Sequence, residues 1–267
     1  MEQNGFPIWA ITTQNEPSMG LLIDSAWNAM GWTPKHQMRW LESDLIPLFK
    51  ELNCTTKIIL FDDNRILLPQ WMEYILNNDF VRNETHGIAI HWYWDRLVPV
   101  SVVSRLNTLF PEKELIASEA CSHRGPNSAP YWLAWSQGED YSQDIIENLK
   151  HSFTSWIDWN LALDTSGGPN WAGNHRNAAV IIDSIKDEFF KAPSFYHLQH
   201  FSRFILPNSK IIKSDFRNGI VALRPDGYKI AVVLNDRPWT QYFIIHDNDR
   251  RIHLTLPKRS IQSILWK

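Results

Sequence analysis

The chain has 267 residues, a formal net charge of -3 and an isoelectric point near 6.4. This length gives room for one large domain, or for one domain and a small companion. The charge provides no basic surface for nucleic acid or for an anionic membrane, and no apolar run is long enough to cross a bilayer. The two cysteines, Cys54 and Cys121, are too few for a disulfide framework and lack metal-ligand spacing. We therefore expect a soluble protein without a nucleic-acid partner, cofactor or metal.

Two sequons, at Asn53 and Asn83, read as acceptors for N-linked glycans, but such sequons often arise by chance and favour a luminal protein only weakly. The N-terminus has neither the apolar segment nor the basic lead of a signal peptide. We therefore expect either a cytosolic protein or a targeting region farther upstream. The chain also contains 14 Trp residues, which suit either a large core or a sugar site where indole rings stack on a pyranose.

Short apolar runs alternate with amphipathic stretches in the first three quarters of the chain, which is typical of parallel strands joined by helices. The predicted strands are Ile8–Thr13, Lys57–Phe61, Gly87–Trp92, Leu115–Ser118 and Trp156–Leu161. The predicted helices are Pro34–Leu52, Pro69–Asn77, Val98–Phe110, Tyr141–Ser152 and, after a long loop, Ala192–Phe204.

Polar side chains follow several of these strands at their C-terminal ends. They include Glu16, Asp62, His91 and Glu119. In a (β/α)8 TIM barrel the active site is built at that end of the strands. A doubly wound sheet also binds ligands there, but no Gly-rich phosphate loop follows any of these strands. The sequence therefore predicts an α/β protein with a TIM-barrel domain.

Only five strand–helix units are visible, whereas a closed barrel needs eight. We expect residues 1–205 to be the C-terminal five units of a barrel domain whose first three units lie upstream. An unclosed barrel exposes two strand edges, so we expect the chain by itself to fold poorly and to show little activity.

A second pattern begins after residue 205, where short alternating runs are separated by turn residues. The predicted strands are Ile211–Ser214, Ile220–Arg224, Lys229–Leu234, Gln241–Ile245, Arg251–Leu256 and Ser260–Trp266. We predict that residues 206–267 form part of a small antiparallel β-sandwich.

Two glutamates carry the candidate chemistry. Glu16 lies in Asn15-Glu16-Pro17, where the Asn can bind a sugar 2-hydroxyl and the Pro ends the strand. Glu119 closes an apolar run three strands later. A retaining glycosidase requires two such carboxyl groups, roughly 5–5.5 Å apart. Either glutamate alone is also explained as a loop cap or a solvated strand end.

Electrostatics suggest which glutamate acts as the acid/base. Neighbouring carboxylates cannot both ionise cheaply, so an ionised Glu119 is expected to keep Glu16 protonated as the acid. Once Glu119 is esterified its charge is lost, and Glu16 can then act as base towards water. The two protonations belong to the coupled pair.

Neighbouring motifs offer supporting roles. His91 or Tyr93 is expected within hydrogen-bond reach of Glu119, and a packed aromatic cluster is an equal alternative. In Asp62-Asp63-Asn64-Arg65 we favour an ion pair between Asp63 and Arg65 over a sugar or cation contact.

Two tryptophans lie in Trp156-Ile157-Asp158-Trp159-Asn160, and we expect both to point to one face of a strand. One of them would line the pocket while the other packs.

These residues resemble the glucosylceramidase family, that is, the lysosomal acid β-glucosidases. The resemblance runs through essentially the whole chain and is carried by long motifs in the same order. They are Thr13-Gln14-Asn15-Glu16-Pro17-Ser18, Asp62-Asp63-Asn64-Arg65-Ile66-Leu67-Leu68-Pro69, His86-Gly87-Ile88-Ala89-Ile90-His91-Trp92-Tyr93, Ala117-Ser118-Glu119-Ala120-Cys121, Trp156-Ile157-Asp158-Trp159-Asn160-Leu161-Ala162-Leu163 and Gly167-Gly168-Pro169-Asn170-Trp171.

The resemblance implies a (β/α)8 barrel with a flanking β-sandwich and hydrolysis of glucosylceramide to glucose and ceramide. It places the acid/base on Glu16 and the nucleophile on Glu119. The residues it implies for glucose binding are Asn15, Trp159 and Asn174, and those it implies as supports for the nucleophile are His91 and Tyr93. It also implies a lysosomal location, an acidic pH, and help from a saposin-type activator and anionic lipid.

The chain departs from the family where Ser25 and Trp27 replace the usual Tyr and Phe at the pocket mouth, so the preferred aglycone stays open. Two other interpretations also remain. One is a related retaining β-glycosidase acting on another sugar, such as xylose or galactose. The other is a sugar- or lipid-binding protein whose glutamates no longer catalyse.

Overall fold

The computed structural model describes residues 4–21, 27–122 and 133–267. Contacts divide the chain into two units. The first unit comprises Met1–Ala120, His151–Trp159 and Trp171–Asn174, and the second comprises Cys121–Lys150, Asn160–Asn170 and His175–Lys267. Each of these units is assembled from several chain segments, whereas the sequence predicted two continuous domains with a boundary after residue 205. That boundary stays a prediction.

A five-stranded parallel sheet, in the order β1-β2-β3-β4-β5, forms the centre of the first unit. Its strands are β1 (Ala10–Thr12), β2 (Lys57–Asn64), β3 (Gly87–His91), β4 (Glu114–Ala120) and β5 (Phe153–Asp158). The helices are α1 (Pro34–Trp40), α2 (Ile46–Glu51), α3 (Gln70–Leu76), α4 (Asp79–Glu84) and α5 (Ser101–Leu109). The five predicted parallel strands are confirmed.

Some predicted bounds were wrong. The predicted Pro34–Leu52 helix contains a π-helical turn, Leu41–Leu45, between α1 and α2. The fifth strand ends at Asp158, three residues earlier than predicted. Its carboxylate accepts a hydrogen bond from the backbone N–H of Trp159, and this local bond turns the chain.

The apolar residues of the sheet alternate between two faces. Ile58 and Leu60 pack with the helices in a large cluster, whereas Ile59, Ala89 and Ile116 pack together on the opposite face. Burial on both faces is typical of the parallel sheet of an α/β protein.

A polar layer lies above this second, smaller apolar cluster. Thr12, His91 and Ser118 each follow a residue of the apolar layer by two positions, so they share its face. Asp62 follows Ile59 by three positions, because β2 has a register shift between Phe61 and Asp63. Such a bulge re-aims a side chain, and here it brings Asp62 into the polar layer.

The second unit contains two more helices and nine strands among its described residues. The helices are α6 (Trp135–Lys150) and α7 (Pro193–Ser202). The strands are β6 (Ala162–Asp164), β7 (Val180–Asp183), β8 (Glu188–Lys191), β9 (Lys210–Ile212), β10 (Gly219–Leu223), β11 (Lys229–Asn235), β12 (Gln241–Asp247), β13 (Arg250–Leu256) and β14 (Ser260–Trp266).

Two antiparallel sheets, β14-β11-β10-β9 and β12-β13, share one apolar core in this unit. Val221 and Val233 from the first sheet pack with Ile245 and Leu256 from the second. This confirms the predicted β-sandwich and its six strands. The predicted loop before α7 was wrong in part, because it contains the three-stranded sheet β6-β7-β8.

No helix among the described residues has both the length and the hydropathy that crossing a bilayer requires.

Helices α6 and α7 pack through a glycine. A Cβ added at Gly138 would lie 2.2 Å from Cδ2 of His197, whose side chain is fully buried. We expect Gly138→Ala to lower the free energy of unfolding by about 1–3 kcal/mol in urea denaturation. In a His197→Ala background the clash is gone, so Gly138→Ala should instead stabilise by up to about 1 kcal/mol through helix propensity. Equal effects in both backgrounds would contradict this packing.

Candidate active site

Glu16 is buried among three hydrogen-bond partners. The residue lies four positions after the end of β1 and has a left-handed φ of 42°. It is 6% exposed. Asn64 Nδ2 donates to Oε1 at 3.2 Å, and His91 Nδ1 lies 3.1 Å from the same oxygen. Trp27 Nε1 donates to Oε2 at 2.9 Å. Both oxygens of this carboxyl are therefore held.

His91 lies at the centre of the polar layer and is fully buried. Its Nε2 is 3.1 Å from Asp62 Oδ1, so the ring bridges Asp62 and Glu16. Burial disfavours the imidazolium, but the hydrogen bonds and negative charges of its carboxylate neighbours raise the pKa of His91 to about 10. The histidine is therefore a buried cation, and both of its ring nitrogens act as donors.

Asp62 accepts three hydrogen bonds in this layer. Besides His91, Thr12 Oγ1 and Ser118 Oγ each donate to its carboxylate at 2.7 Å. Burial raises the pKa of Asp62, but the bond and charge of His91, followed by the two hydroxyls, lower it on balance. Three strands thus contribute donors to one carboxylate.

Glu119 lies near the end of β4, beside this cluster. Tyr93 Oη donates to its Oε1 at 2.7 Å. His91 Nε2 is 3.8 Å from its Oε2, too long for a hydrogen bond. The expected contact of Tyr93 with Glu119 is confirmed, whereas His91 binds Glu16 and Asp62 instead.

The two glutamates face each other. One oxygen of Glu16, one of Glu119 and a ring nitrogen of His91 all lie within 4.8 Å of one another. Three such groups could also hold a metal ion. However, both ring nitrogens of His91 already lie 3.1 Å from carboxylate oxygens, Nδ1 from Glu16 and Nε2 from Asp62, so hydrogen bonds account for this cluster.

The pKa shifts oppose the electrostatic argument made from the sequence. Burial raises the pKa of Glu16, but hydrogen bonds from His91, Trp27 and Asn64 and the charge of His91 lower it on balance. Burial raises the pKa of Glu119, and the bond from Tyr93 and the charge of His91 do not offset this. These directions run against the expectation that an ionised Glu119 keeps Glu16 protonated, which left out the hydrogen bonds and charge of His91.

The expected ion pair between Asp63 and Arg65 was also wrong. Asp63 accepts backbone N–H groups from Ser18 and Asn64, at 2.8 and 2.7 Å. Arg65 is 1% exposed, and its Nε lies 3.0 Å from Asp95 Oδ1. The arginine therefore anchors the loop that carries Tyr93.

The other predicted site residues, Asn15 and Trp159, form hydrogen bonds with groups other than the two glutamates. Asn15 Nδ2 donates to the backbone oxygen of Asn28 at 3.1 Å. Trp159 directly follows β5, is 37% exposed, and its N–H donates to the backbone oxygen of Ala120. Asn174 belongs to the same unit and is half-buried. Ser25 lies outside the described residues.

The two strand tryptophans do not behave as predicted. Trp156 packs against the large apolar cluster of the first unit, whereas Trp159 lies beyond the strand. Residues three apart in a strand point to opposite faces, which the expectation of a shared face ignored. Trp159 stays a candidate for sugar stacking.

A parallel sheet whose strand ends present a facing pair of carboxyl groups is the arrangement of the (β/α)8 glycosidases. The sequence profile of the glycosyl hydrolase family 30 TIM-barrel domain matches residues 1–205, and that of the family 30 β-sandwich domain matches residues 220–264. The chain belongs to glycosyl hydrolase family 30.

Individual relatives agree with this assignment. The chain is 38% identical to mouse (Mus musculus) lysosomal acid glucosylceramidase over 98% of its own length and 53% of that protein. The structure of SrfJ from Salmonella typhimurium matches 100% of the chain and 59% of its own length, with a TM-score of 0.90 and 25% identity. An endo-β1,6-glucanase structure matches 99% of the chain and 60% of its own, with a TM-score of 0.83 and 22% identity. The chain spans about half the length of the curated relatives it matches.

Proposed function

We propose that this chain supplies the catalytic carboxyl groups of a retaining β-glucosidase, with Glu119 as nucleophile and Glu16 as acid/base. The observation that carries the proposal is the approach of the two side chains, which bring one oxygen of each to within 4.8 Å. This is compatible with the short carboxyl separation of retaining enzymes, roughly 5–5.5 Å, and too short to hold a water as inverting enzymes do. The order of the roles rests on the family resemblance, since the pKa shifts alone would not assign it.

The contacts suggest which oxygens react. Tyr93 holds Oε1 of Glu119, which leaves Oε2 to bond the anomeric carbon. In the first step the leaving oxygen takes a proton from Glu16 and departs with the electrons of the glycosidic bond. In the second step water attacks that carbon, its proton passes to Glu16, and Glu119 recovers the electrons of the ester bond. Glu16 gives up one proton in the first step and regains one in the second, so it ends in its starting form.

The lowered pKa of Glu16 supports an acidic working pH. Because its pKa lies below the ordinary 4.5, the protonated acid is populated only in an acidic medium. The charge of Glu16 also raises the pKa of Glu119, so the profile reports the coupled pair.

The substrate we propose is glucosylceramide, because the mouse relative is named a lysosomal acid glucosylceramidase. By the same relationship we propose a lysosomal location, with a saposin-type activator and an anionic lipid surface as partners. Asn53 and Asn83 are both exposed, which suits the glycans of such a compartment.

A covalent label tests the proposal. We expect a cyclitol epoxide of the β-gluco configuration to form one adduct, located on Glu119 by peptide mass spectrometry. We also expect proton NMR to show β-glucose as the first product of a β-glucoside. A label elsewhere, or α-glucose first, would reject the retaining mechanism. Competition between glucosylceramide and β-xylosides or β-galactosides then distinguishes this substrate from that of a related β-glycosidase.

A further inference from the structure

Trp27 is the unexpected contact of the site. Its indole N–H donates to Oε2 of Glu16 at 2.9 Å. The other oxygen, Oε1, is already occupied by Asn64 and His91. Trp27 is half-buried and lies outside the helices and strands, in a stretch without apolar periodicity.

The two oxygens of Glu16 therefore have different environments. Oε1 faces the buried polar layer, so Oε2 is the oxygen left to exchange a proton with the substrate. An indole N–H is a donor only, and it binds a carboxylate more strongly than a carboxylic acid. The bond from Trp27 therefore strengthens as Glu16 releases its proton and weakens as Glu16 takes one up.

We propose that Trp27 is a further functional residue of this site, because its indole N–H stabilises the ionised form of Glu16 and so lowers the pH at which Glu16 changes from acid to base. The proposal rests on the proposed function, since it assumes that Glu16 is the acid/base. A donor at this position makes Glu16 a stronger acid in the first step and a weaker base in the second.

Other charges also act on Glu16. His91 reaches it from β3, Glu119 faces it from β4, and Asp62 and Asp63 lie on β2. All of these groups stay in place when only the indole is changed. A comparison of Trp27→Phe with the unchanged chain therefore isolates the contribution of one hydrogen bond while an aromatic ring is kept.

The test uses hydrolysis of the glycosyl ester, because Glu119 is then uncharged and Glu16 titrates by itself. A 2-deoxy-2-fluoro-β-glucosyl fluoride would esterify Glu119 and cancel its charge. Water then releases the sugar with Glu16 as base, and the release rate rises with pH to a plateau whose midpoint reports Glu16. We expect Trp27→Phe to move this midpoint upward by about one pH unit or more, the value of one charge-assisted hydrogen bond.

A matched control is available nearby. Trp32 packs edge-on against Trp40, with the two ring centroids 4.9 Å apart. Trp32→Phe therefore removes an indole outside the carboxyl cluster. We expect Trp32→Phe to leave the midpoint of the release-rate profile unchanged. An equal shift in both variants, or no shift in Trp27→Phe, would overturn the proposal. If no adduct forms at all, the proposed function fails before Trp27 is tested.

A second measurement needs no substitution at Trp27. In the trapped enzyme we expect one of the 14 Trp indole N–H resonances to move downfield as Glu16 ionises, with the same midpoint as the release rate. Glu16→Gln should abolish that movement. If every indole resonance is independent of this transition, the hydrogen bond does not exist in solution.

Discussion

In a form extended upstream by the three expected barrel units, Glu119→Gln is expected to reduce turnover of a fluorogenic β-glucoside at acid pH by at least about 10⁴-fold, because an amide cannot form the glycosyl ester. The fold should survive the change. The glutamine amide oxygen can still accept the hydrogen bond from Tyr93, and the side chain of Glu119 is 20% exposed. Circular dichroism and the thermal midpoint should therefore match those of the unchanged chain.

Glu114→Gln is the matched control on the same strand. Glu114 lies at the opposite end of β4, where its partly exposed carboxylate pairs with Lys57 Nζ at 3.0 Å. We expect this variant to keep nearly full turnover. Azide should rescue Glu119→Gln by attacking the anomeric carbon directly and giving the α-glucosyl azide. Unchanged turnover in Glu119→Gln would remove Glu119 from the mechanism.

His91→Gln is expected to lower the free energy of unfolding by about 3–5 kcal/mol at pH 5, measured by urea denaturation. The substitution removes a buried cation and leaves Asp62 and Glu16 without their shared counter-charge. The glutamine amide can still donate hydrogen bonds through its N–H₂ group, so the loss is mainly electrostatic. Activity should fall as well, because the position of Glu16 depends on this bridge.

The pH dependence of stability gives a sharper test of the same residue. The pKa of His91 is raised from 6.5 to about 10 on folding, so the folded chain binds the proton more tightly than the unfolded chain. Its contribution is fully present below pH 6.5 and is lost as pH rises towards 10, with an upper limit of about 5 kcal/mol. His91→Gln should lack this decline.

His253→Gln is the control for this measurement, since His253 is an exposed histidine on β13. We expect it to keep both the stability at pH 5 and the decline above pH 6.5. If His91→Gln retains the same decline as the unchanged chain, His91 is not the group that carries the proton.

Much of the fold was predictable because its signals are local. An apolar run ended by a polar residue marks the C-terminal end of a strand, which placed Glu119 and His91 correctly. The β-sandwich was equally accessible, since alternation and turn residues recur every few positions. The three-stranded sheet β6-β7-β8 was missed because its strands are only three or four residues long, which is too short to show a clear period.

The partners within the site were less predictable because they depend on distant residues. Arg65 pairs with Asp95, 30 positions away, rather than with the adjacent aspartates. Trp27 approaches Glu16 from a stretch without periodicity. The charge of His91 follows from burial between carboxylates on other elements, which no local pattern encodes. An indole beside an acid motif is a weak signal that one sequence cannot separate from packing.

The backbone of the acidic cluster has a consequence for stability engineering. Glu16 and Asp62 have φ angles of 42° and 57°, a region that costs non-glycine residues of order 1–3 kcal/mol. Glycine would relax the chain at either position but would delete the carboxylate. Removing either acid would also leave the buried His91 cation without one of its counter-charges, which costs about 3–5 kcal/mol, so relief of the backbone strain is outweighed at both positions. Gains in robustness are better sought in the sandwich, where a substitution leaves these acids and their counter-charge in place.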